Sequence, residues 1–196
     1  MARLIHVTNL SLDGCIEDEH GVFDLYPPDD DVFAATTDIL RSVGTHLYGR
    51  RLYETMAVWE TDPSLAAASD STAEFASVWQ AAEKVVYSTT LPEVSTAATR
   101  LERRFDPLAV QALKDAASAD LFVGGANLAA QAIRAGLVDE CHLFVWPMVV
   151  GGGKRGLPAG LRVELELLGE RRFGNGVVLL RYAVAEASPG RTSASS

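Results

Sequence analysis

The strongest local feature of the sequence is the stretch Leu121-Phe122-Val123-Gly124-Gly125-Ala126-Asn127-Leu128. Three apolar residues predict a short strand, two glycines predict a turn, and the residues from 127 to 135 predict a helix that stops at Gly136. The start of a helix offers unpaired N–H groups, and glycine lets a phosphate approach the backbone closely. A double-glycine turn after a strand is often no more than a tight turn, and the three-glycine fingerprint of ordinary dinucleotide-binding folds is missing.

Two further segments follow predicted strands in the same way. Gly49-Arg50-Arg51 follows the strand 46–48, and Ser88-Thr89-Thr90 follows the strand 84–87. An arginine fork clamps phosphates, although a pair of solvated arginines is the simpler interpretation. Hydroxyl groups at a strand end bind phosphates but more often cap a turn. The three segments support one another if their strands are neighbours, because ligands of open α/β sheets bind beyond the carboxyl ends of the strands.

The rest of the chain continues the alternation of strands and helices. We predict an α/β fold with a mostly parallel sheet, antiparallel strands at its C-terminal end and flanking helices. A loop from Ser11 to Pro28 is long enough to act as a lid. The other predicted strands are 4–10, 99–102, 140–150, 161–173 and 177–184, and the other predicted helices are 29–42, 50–56, 73–82 and 107–117.

Composition narrows the class of protein. The 196 residues fit one domain, and we expect it to span residues 1–186 with a flexible tail at 187–196. The net charge of −9 argues against binding to nucleic acid or to anionic membranes. The sequence also predicts no signal peptide and no transmembrane helix. We expect Cys15 and Cys141 to be reduced and buried in a cytoplasmic protein, and the four histidines show no metal-ligand spacing.

Six short motifs occur in one order that resembles a known family. The order is similar to the dihydrofolate-reductase-like superfamily, specifically to the C-terminal reductase domain of the bifunctional riboflavin-biosynthesis deaminase-reductase. The motifs are Ser11-Leu12-Asp13-Gly14, Gly49-Arg50-Arg51-Leu52-Tyr53-Glu54, Lys84-Val85-Val86-Tyr87-Ser88, Gly124-Gly125-Ala126-Asn127-Leu128, Gly136-Leu137-Val138-Asp139-Glu140 and Pro147-Met148-Val149-Val150-Gly151-Gly152-Gly153-Lys154.

The resemblance implies a single domain with a dihydrofolate-reductase-like sheet of eight strands, NADPH as the cofactor and a homodimer. Arg50 and Arg51, with Gly49, Ser88 and Thr89, would then surround the 2′-phosphate of the adenosine. The pyrophosphate would lie at the start of the helix, and the loop after the first strand would close over the nicotinamide. The residues implied for these two roles are Gly124, Gly125, Ala126, Asn127 and Leu128, and Asp13, Gly14 and Ile16.

The proton donor is a separate question, because hydride transfer to an imine or carbonyl also needs a proton. Dihydrofolate reductases place a carboxylate early in the first helix, and Asp31 falls near that position, with Asp29 and Asp30 as competitors. All three are also typical of helix capping and of compensation of the helix dipole. Trp59 and Trp146 are candidates for the walls of a flat heterocycle site, with the protein core as the alternative.

The resemblance favours an NADPH-dependent reductase with a small-molecule substrate. The first specific hypothesis is a 5-amino-6-(5-phosphoribosylamino)uracil reductase, and the second is a dihydrofolate or pterin reductase. Leu52 stands where dihydrofolate reductases often carry a threonine, and the Thr-Val-x-x-Asp-Asp-Pro stretch of the riboflavin reductases is absent. A nucleotide-binding module without turnover is the alternative from another class.

Overall fold

The structure is a computed structural model that describes residues 1–23 and 30–185. The strands are β1 (Leu4–Ser11), β2 (Cys15–Glu17), β3 (Val43–Gly49), β4 (Glu83–Tyr87), β5 (Thr99–Glu102), β6 (Asp120–Gly124), β7 (Glu140–Trp146), β8 (Lys154–Arg155), β9 (Leu165–Arg172) and β10 (Val178–Val184). The helices are α1 (Asp30–Leu40), α2 (Arg50–Met56), α3 (Val58–Thr61), α4 (Pro63–Ala66), α5 (Asp70–Ala81), α6 (Pro107–Ala116) and α7 (Ala126–Arg134).

One eight-stranded sheet organises the domain, in the order β5-β4-β3-β6-β1-β7-β10-β9. The pairs from β5 to β7 are parallel, and β7, β10 and β9 pair antiparallel. The prediction of a mostly parallel sheet with an antiparallel C-terminal hairpin is therefore confirmed. The antiparallel pair follows from local sequence, since Gly174-Asn175-Gly176 allows a short connection between β9 and β10.

Apolar side chains cover both faces of this sheet. One cluster joins Leu4, Leu47 and Val123 to residues of α6 and α7. The other face carries two clusters, in which Phe75 and Trp79 of α5 and Val32 of α1 are buried. Burial on both faces explains why the central strands are runs of apolar residues rather than alternating patterns.

A buried lysine completes the C-terminal end of α5. Lys84 is 1% exposed, and its ammonium donates hydrogen bonds to the carbonyl oxygens of Trp79 at 3.2 Å, Gln80 at 3.4 Å and Ala82 at 2.9 Å. The last carbonyl groups of a helix lack partners within the helix, and a cation there also complements the helix dipole. The ammonium also lies 4.3 Å from the centre of a Trp79 ring. Burial lowers the pKa of Lys84.

Two details of the sequence-based prediction were wrong. The strand predicted over 140–150 ends at Trp146, because Pro147 has no amide hydrogen for the ladder. The region predicted as a loop from Ser11 contains β2, which pairs antiparallel with β8 in a small second sheet. The tail predicted for residues 187–196 lies outside the described residues, as does Asp29. No helix of the described chain has the length and hydropathy needed to cross a bilayer.

Candidate functional site

Three strand ends lie side by side at one edge of the sheet. Gly49 at the end of β3 is in register with Tyr87 of β4, and Tyr48 is in register with Gly124 of β6. Since β4, β3 and β6 are parallel neighbours, the segments that follow them emerge at the same edge. The strands before the three candidate segments are therefore neighbours, which is the condition for the segments to form one site.

The N-terminus of α7 is built without any side-chain cap. Gly125 occupies the N-cap position with φ +90° and ψ 118°, and no side chain accepts a hydrogen bond from the first turn. A side chain at this φ is strained, which accounts for the glycine. The first turn also contains no acidic residue. The free N–H groups and the positive end of the helix dipole therefore favour an anion here.

A groove of about 960 Å³ runs along this edge of the sheet. The structure brings most of the predicted cofactor residues together on its walls, across three different strand ends. The predicted residues that line it are Gly49, Arg50, Arg51, Ser88, Thr89, Gly125, Ala126, Asn127 and Leu128. Gly124 lies directly behind this wall, where an added Cβ would be 2.5 Å from the Phe122 ring.

The arginines at one end of the groove differ in their partners. Arg50 donates to Glu54 at 2.8 Å and to the Thr90 hydroxyl at 2.9 Å, and its side chain remains 45% exposed. Arg103 donates to the carbonyl oxygen of Leu91 at 2.5 Å, so it holds the loop after β4 in place. Arg104 has no ion-pair or hydrogen-bond partner among the described residues and lines the groove. This end of the groove is consequently cationic.

The arginine pair at 103–104 was missed at the sequence level. This pair directly follows β5, as Arg50-Arg51 directly follows β3. The position after a strand, which indicated the first pair, therefore also indicates the second. Tyr87 and Phe105 line the same end, with ring centres 5.6 Å apart in an edge-to-face arrangement. An aromatic pair beside arginines is suited to hold a purine ring next to a phosphate.

Ser88 has two roles at this end of the groove. Its hydroxyl oxygen accepts hydrogen bonds from the backbone N–H groups of Thr90 at 3.2 Å and Leu91 at 2.9 Å. The turn-capping interpretation of Ser88 is therefore observed. The same residue lines the groove, so its hydroxyl hydrogen is available to an anion.

A carboxylate bridges the groove at its other end. Glu17 of β2 lies 3.5 Å from the Arg51 guanidinium and 3.6 Å from the Lys154 ammonium. The backbones of β2 and the glycine loop before β8 approach closely here. A Cβ on Gly153, which has φ +119°, would lie 2.6 Å from the carbonyl carbon of Asp18. Only glycine fits that approach, and it sets the position of Lys154 opposite Glu17.

A second cavity of about 660 Å³ adjoins the groove between α1 and the sheet. The two share a boundary formed by Glu17, Arg51, Leu52, Gly125, Ala126 and Lys154. We call the second cavity the aromatic pocket, because its walls include Phe23, Phe33, Trp59, Phe75, Phe122, Phe144 and Trp146. Both tryptophans suggested by the sequence therefore lie on its wall, whereas the phenylalanines were not foreseen.

The aromatic pocket has rigid walls. Phe33, Trp59 and Phe75 form a cluster with ring centres 4.6 to 5.8 Å apart. On the sheet side, the indole N–H of Trp146 donates to the side-chain oxygen of Asn9 at 2.9 Å. Aromatic side chains held in this way present flat apolar surfaces to a ligand.

A buried polar network supports the floor of the aromatic pocket. The Tyr48 hydroxyl accepts from the Trp79 indole at 2.9 Å and lies 2.7 Å from Nδ1 of His46. Burial raises the pKa of Tyr48 and lowers the pKa of His46 to about 3, with the charge of Lys84 adding to the effect on the histidine. Both side chains are therefore neutral near pH 7 and act as a fixed support.

Some predicted site residues lie outside both cavities. The Asp13 carboxylate accepts from the backbone N–H groups of Val150 at 3.2 Å and Gly151 at 2.9 Å. A hydrogen bond with Ser11, together with these backbone groups, lowers the pKa of Asp13. Asp13 and Gly14 line neither cavity, whereas Ile16 lines the aromatic pocket. Their contact with a cofactor stays a prediction.

The first turn of α1 carries the candidate proton donors. Asp30 and Asp31 are exposed at its start, and neither lines the aromatic pocket. The side chains of α1 that do line it are Val32, Phe33, Thr36 and Leu40. Among the described residues, Glu17 is the one carboxylate that lines the aromatic pocket.

This geometry defines the class of protein as an α/β domain of the dihydrofolate-reductase-like kind, with a cationic groove beside an aromatic pocket. Similar folds occur in a putative riboflavin biosynthesis protein from Shewanella sp. PV-4, with a TM-score of 0.71 at 17% identity, covering 95% of this chain and 100% of that one. Dihydrofolate reductase from Enterococcus faecalis, solved in complex with NADP(H), gives a TM-score of 0.61 at 12% identity, covering 94% and 97%.

Sequence comparison gives the family. Residues 2–179 match the model of the RibD C-terminal domain, and the chain belongs to that family. It is also 31% identical over 185 residues to the uncharacterized protein YyaP of Bacillus subtilis (strain 168), covering 92% of this chain and 94% of that protein. The resemblance inferred from the six motifs is thus confirmed for the family and for the fold.

Proposed function

We propose that this chain is an NADPH-dependent reductase that transfers hydride to a small heterocyclic substrate. The observation that carries the proposal is that the two cavities adjoin. An uncapped helix start and a cationic end lie in one groove, which shares six lining residues with the aromatic pocket. Family membership supports a reductase, since the family is that of the RibD C-terminal domain.

The residues present fit an extended dinucleotide. The backbone N–H groups of Ala126, Asn127 and Leu128 would hold the pyrophosphate at the start of α7. Arg50 and Arg104 would hold the 2′-phosphate at the cationic end. The nicotinamide, which supplies the hydride when bound, would then lie toward the shared boundary with the aromatic pocket. The apolar walls of that pocket exclude water from the reacting atoms.

Two carboxylates compete for the role of proton donor. Asp31, the candidate from the sequence, is exposed, and Glu17 lines the aromatic pocket between two cations. Asp31→Asn and Glu17→Gln should be compared by the pH profile of kcat. The variant that removes the donor should abolish the fall in kcat with rising pH, because that fall marks the loss of the donated proton. An unchanged profile in Asp31→Asn assigns the proton to another group.

The substrate hypotheses are tested with NADPH oxidation. The panel contains 5-amino-6-(5-phosphoribosylamino)uracil as the first choice, and dihydrofolate and dihydropterins as the second. Oxidation of NADPH with any of them supports a reductase. Tight NADPH binding without oxidation across the panel favours instead the module that binds a nucleotide without turnover.

We also propose a homodimer in the cytoplasm. Leu165 and Leu167 of the edge strand β9 are 40% and 53% exposed, and they lie beside Val184 and Tyr182 of β10. A second copy would cover this apolar edge, which otherwise invites nonspecific pairing. Leu167→Lys should then halve the mass measured by sedimentation. Both cysteines are buried and unpaired, in keeping with a reducing compartment.

A further inference from the structure

Almost all polar groups of the aromatic pocket already form hydrogen bonds within the protein. The hydroxyl groups of Thr8, Thr36 and Thr55 donate to the backbone carbonyl oxygens of Asn9, Val32 and Arg51 at 3.3, 3.0 and 3.0 Å. The Tyr48 hydroxyl already contacts Trp79 and His46. A ligand in this pocket therefore meets few free hydrogen-bond donors.

Asn9 is the exception, and its orientation is fixed by chemistry. The indole N–H of Trp146 can only donate, so the group that faces it at 2.9 Å must be the amide oxygen of Asn9. The amide nitrogen then carries two N–H donors, and neither has an acceptor among the described residues. Asn9 lines the aromatic pocket, so these donors are available to a bound substrate.

The charged groups of the pocket lie on its boundary with the groove. Arg51, Lys154 and Glu17 line both cavities, and the Glu17 carboxylate lies 3.5 Å from the Arg51 guanidinium and 3.6 Å from the Lys154 ammonium.

We propose that the substrate contains an uncharged planar ring with a carbonyl oxygen that accepts a hydrogen bond from the Asn9 amide. This inference rests on the proposed reductase function and narrows its substrate class. The rings of Phe33 and Trp59 supply flat apolar surface on the α1 side. Asn9 is the specificity-determining residue, and Trp146 is the positioning residue that keeps its amide oxygen turned away from the substrate.

Cofactor binding is measured first, with NADP⁺ titrated into the wild-type protein and calorimetry as the readout. If NADP⁺ fails to bind, the proposed function fails, which is a separate result from the test of Asn9. The later titrations use protein saturated with NADP⁺.

The role of Asn9 is tested with lumazine, an uncharged bicyclic ring with carbonyl groups. Asn9→Asp keeps an oxygen for the Trp146 indole but removes the amide donor, so lumazine affinity should fall roughly tenfold while NADP⁺ affinity is retained. Trp146→Phe keeps the amide and an aromatic wall, and should cost less than Asn9→Asp. Wild-type lumazine affinity in Asn9→Asp contradicts the inference.

A measurement on the wild-type protein covers the case in which Asn9→Asp does not fold. A thiocarbonyl analogue of lumazine has a weaker acceptor in nearly the same shape. It should bind several-fold more weakly than lumazine if the Asn9 amide donates to that group. Equal affinity for lumazine and all of its thiocarbonyl analogues refutes the proposed hydrogen bond.

Discussion

Replacement of Arg50 by alanine should separate NADPH from NADH. The two cofactors differ by the 2′-phosphate, and Arg50 lies at the cationic end of the groove with its side chain 45% exposed. A charge-assisted hydrogen bond is worth about 1.5–3 kcal/mol, which corresponds to roughly a tenfold to hundredfold change in Kd. We expect Arg50→Ala to weaken NADPH binding by that factor and NADH binding by less than about threefold.

The cost of this substitution to the fold is small. Arg50 forms an exposed i,i+4 ion pair with Glu54 and a hydrogen bond with Thr90. Such exposed helix pairs contribute only about 0.3–0.5 kcal/mol, so the midpoint of urea unfolding should hardly move. A loss of affinity can therefore be attributed to the groove rather than to unfolding.

The assay is calorimetric titration with each cofactor at two salt concentrations. The contrast between cofactors should shrink at high salt, because screening weakens exposed charge pairs. Arg162→Ala is the matched control, since the Arg162 side chain is 90% exposed and lines neither cavity. Equal losses for NADPH and NADH in Arg50→Ala would refute the assignment of the 2′-phosphate to this end of the groove.

Three further predictions concern stability. Gly125→Ala should lower the free energy of urea unfolding by about 1–3 kcal/mol, because φ +90° strains any side chain. Gly174→Ala, at a glycine with open space and no positive φ, is the control and should change that free energy little. Equal costs would contradict the strain argument. The folded pKa of His46 is about 3, below its ordinary value of 6.5, so the unfolded state binds the extra proton. The His46 contribution to stability is complete above pH 6.5 and falls by about 1.4 kcal/mol per pH unit toward pH 3, and His46→Gln should flatten the pH dependence of the free energy of unfolding. Lys84→Met should lower the melting temperature and destabilise by about 1–3 kcal/mol, because buried carbonyl groups at the end of α5 lose their donor; a neutral result would show that water replaces the ammonium.

The sheet was predictable because its signals are local. Runs of apolar residues marked the central strands, and the glycines at 124, 125 and 136 marked the turn and the end of α7. The juxtaposition of the three strand ends followed from one rule about parallel sheets, given that their strands are neighbours. The strand ends and the helix start that form the groove could therefore be predicted from the sequence.

The aromatic pocket was not predictable, because it is made by tertiary packing. Phe33, Phe75 and Phe144 come from two helices and a strand, and each resembles an ordinary core residue in its own segment. The pairing of β2 with β8 joins segments more than 130 residues apart through only a few residues, which local patterns do not reveal. The orientation of the Asn9 amide depends on its hydrogen bond with the Trp146 indole, a contact that the sequence does not reveal.

A crystal structure with NADP⁺ is the most direct test of the proposed cofactor site. We expect pyrophosphate oxygen atoms about 3 Å from the backbone N–H groups at the start of α7, and the 2′-phosphate beside Arg50 or Arg104. We also expect the nicotinamide at the boundary between the groove and the aromatic pocket. A cofactor bound elsewhere, or a pyrophosphate that leaves the first turn of α7 uncontacted, would contradict it.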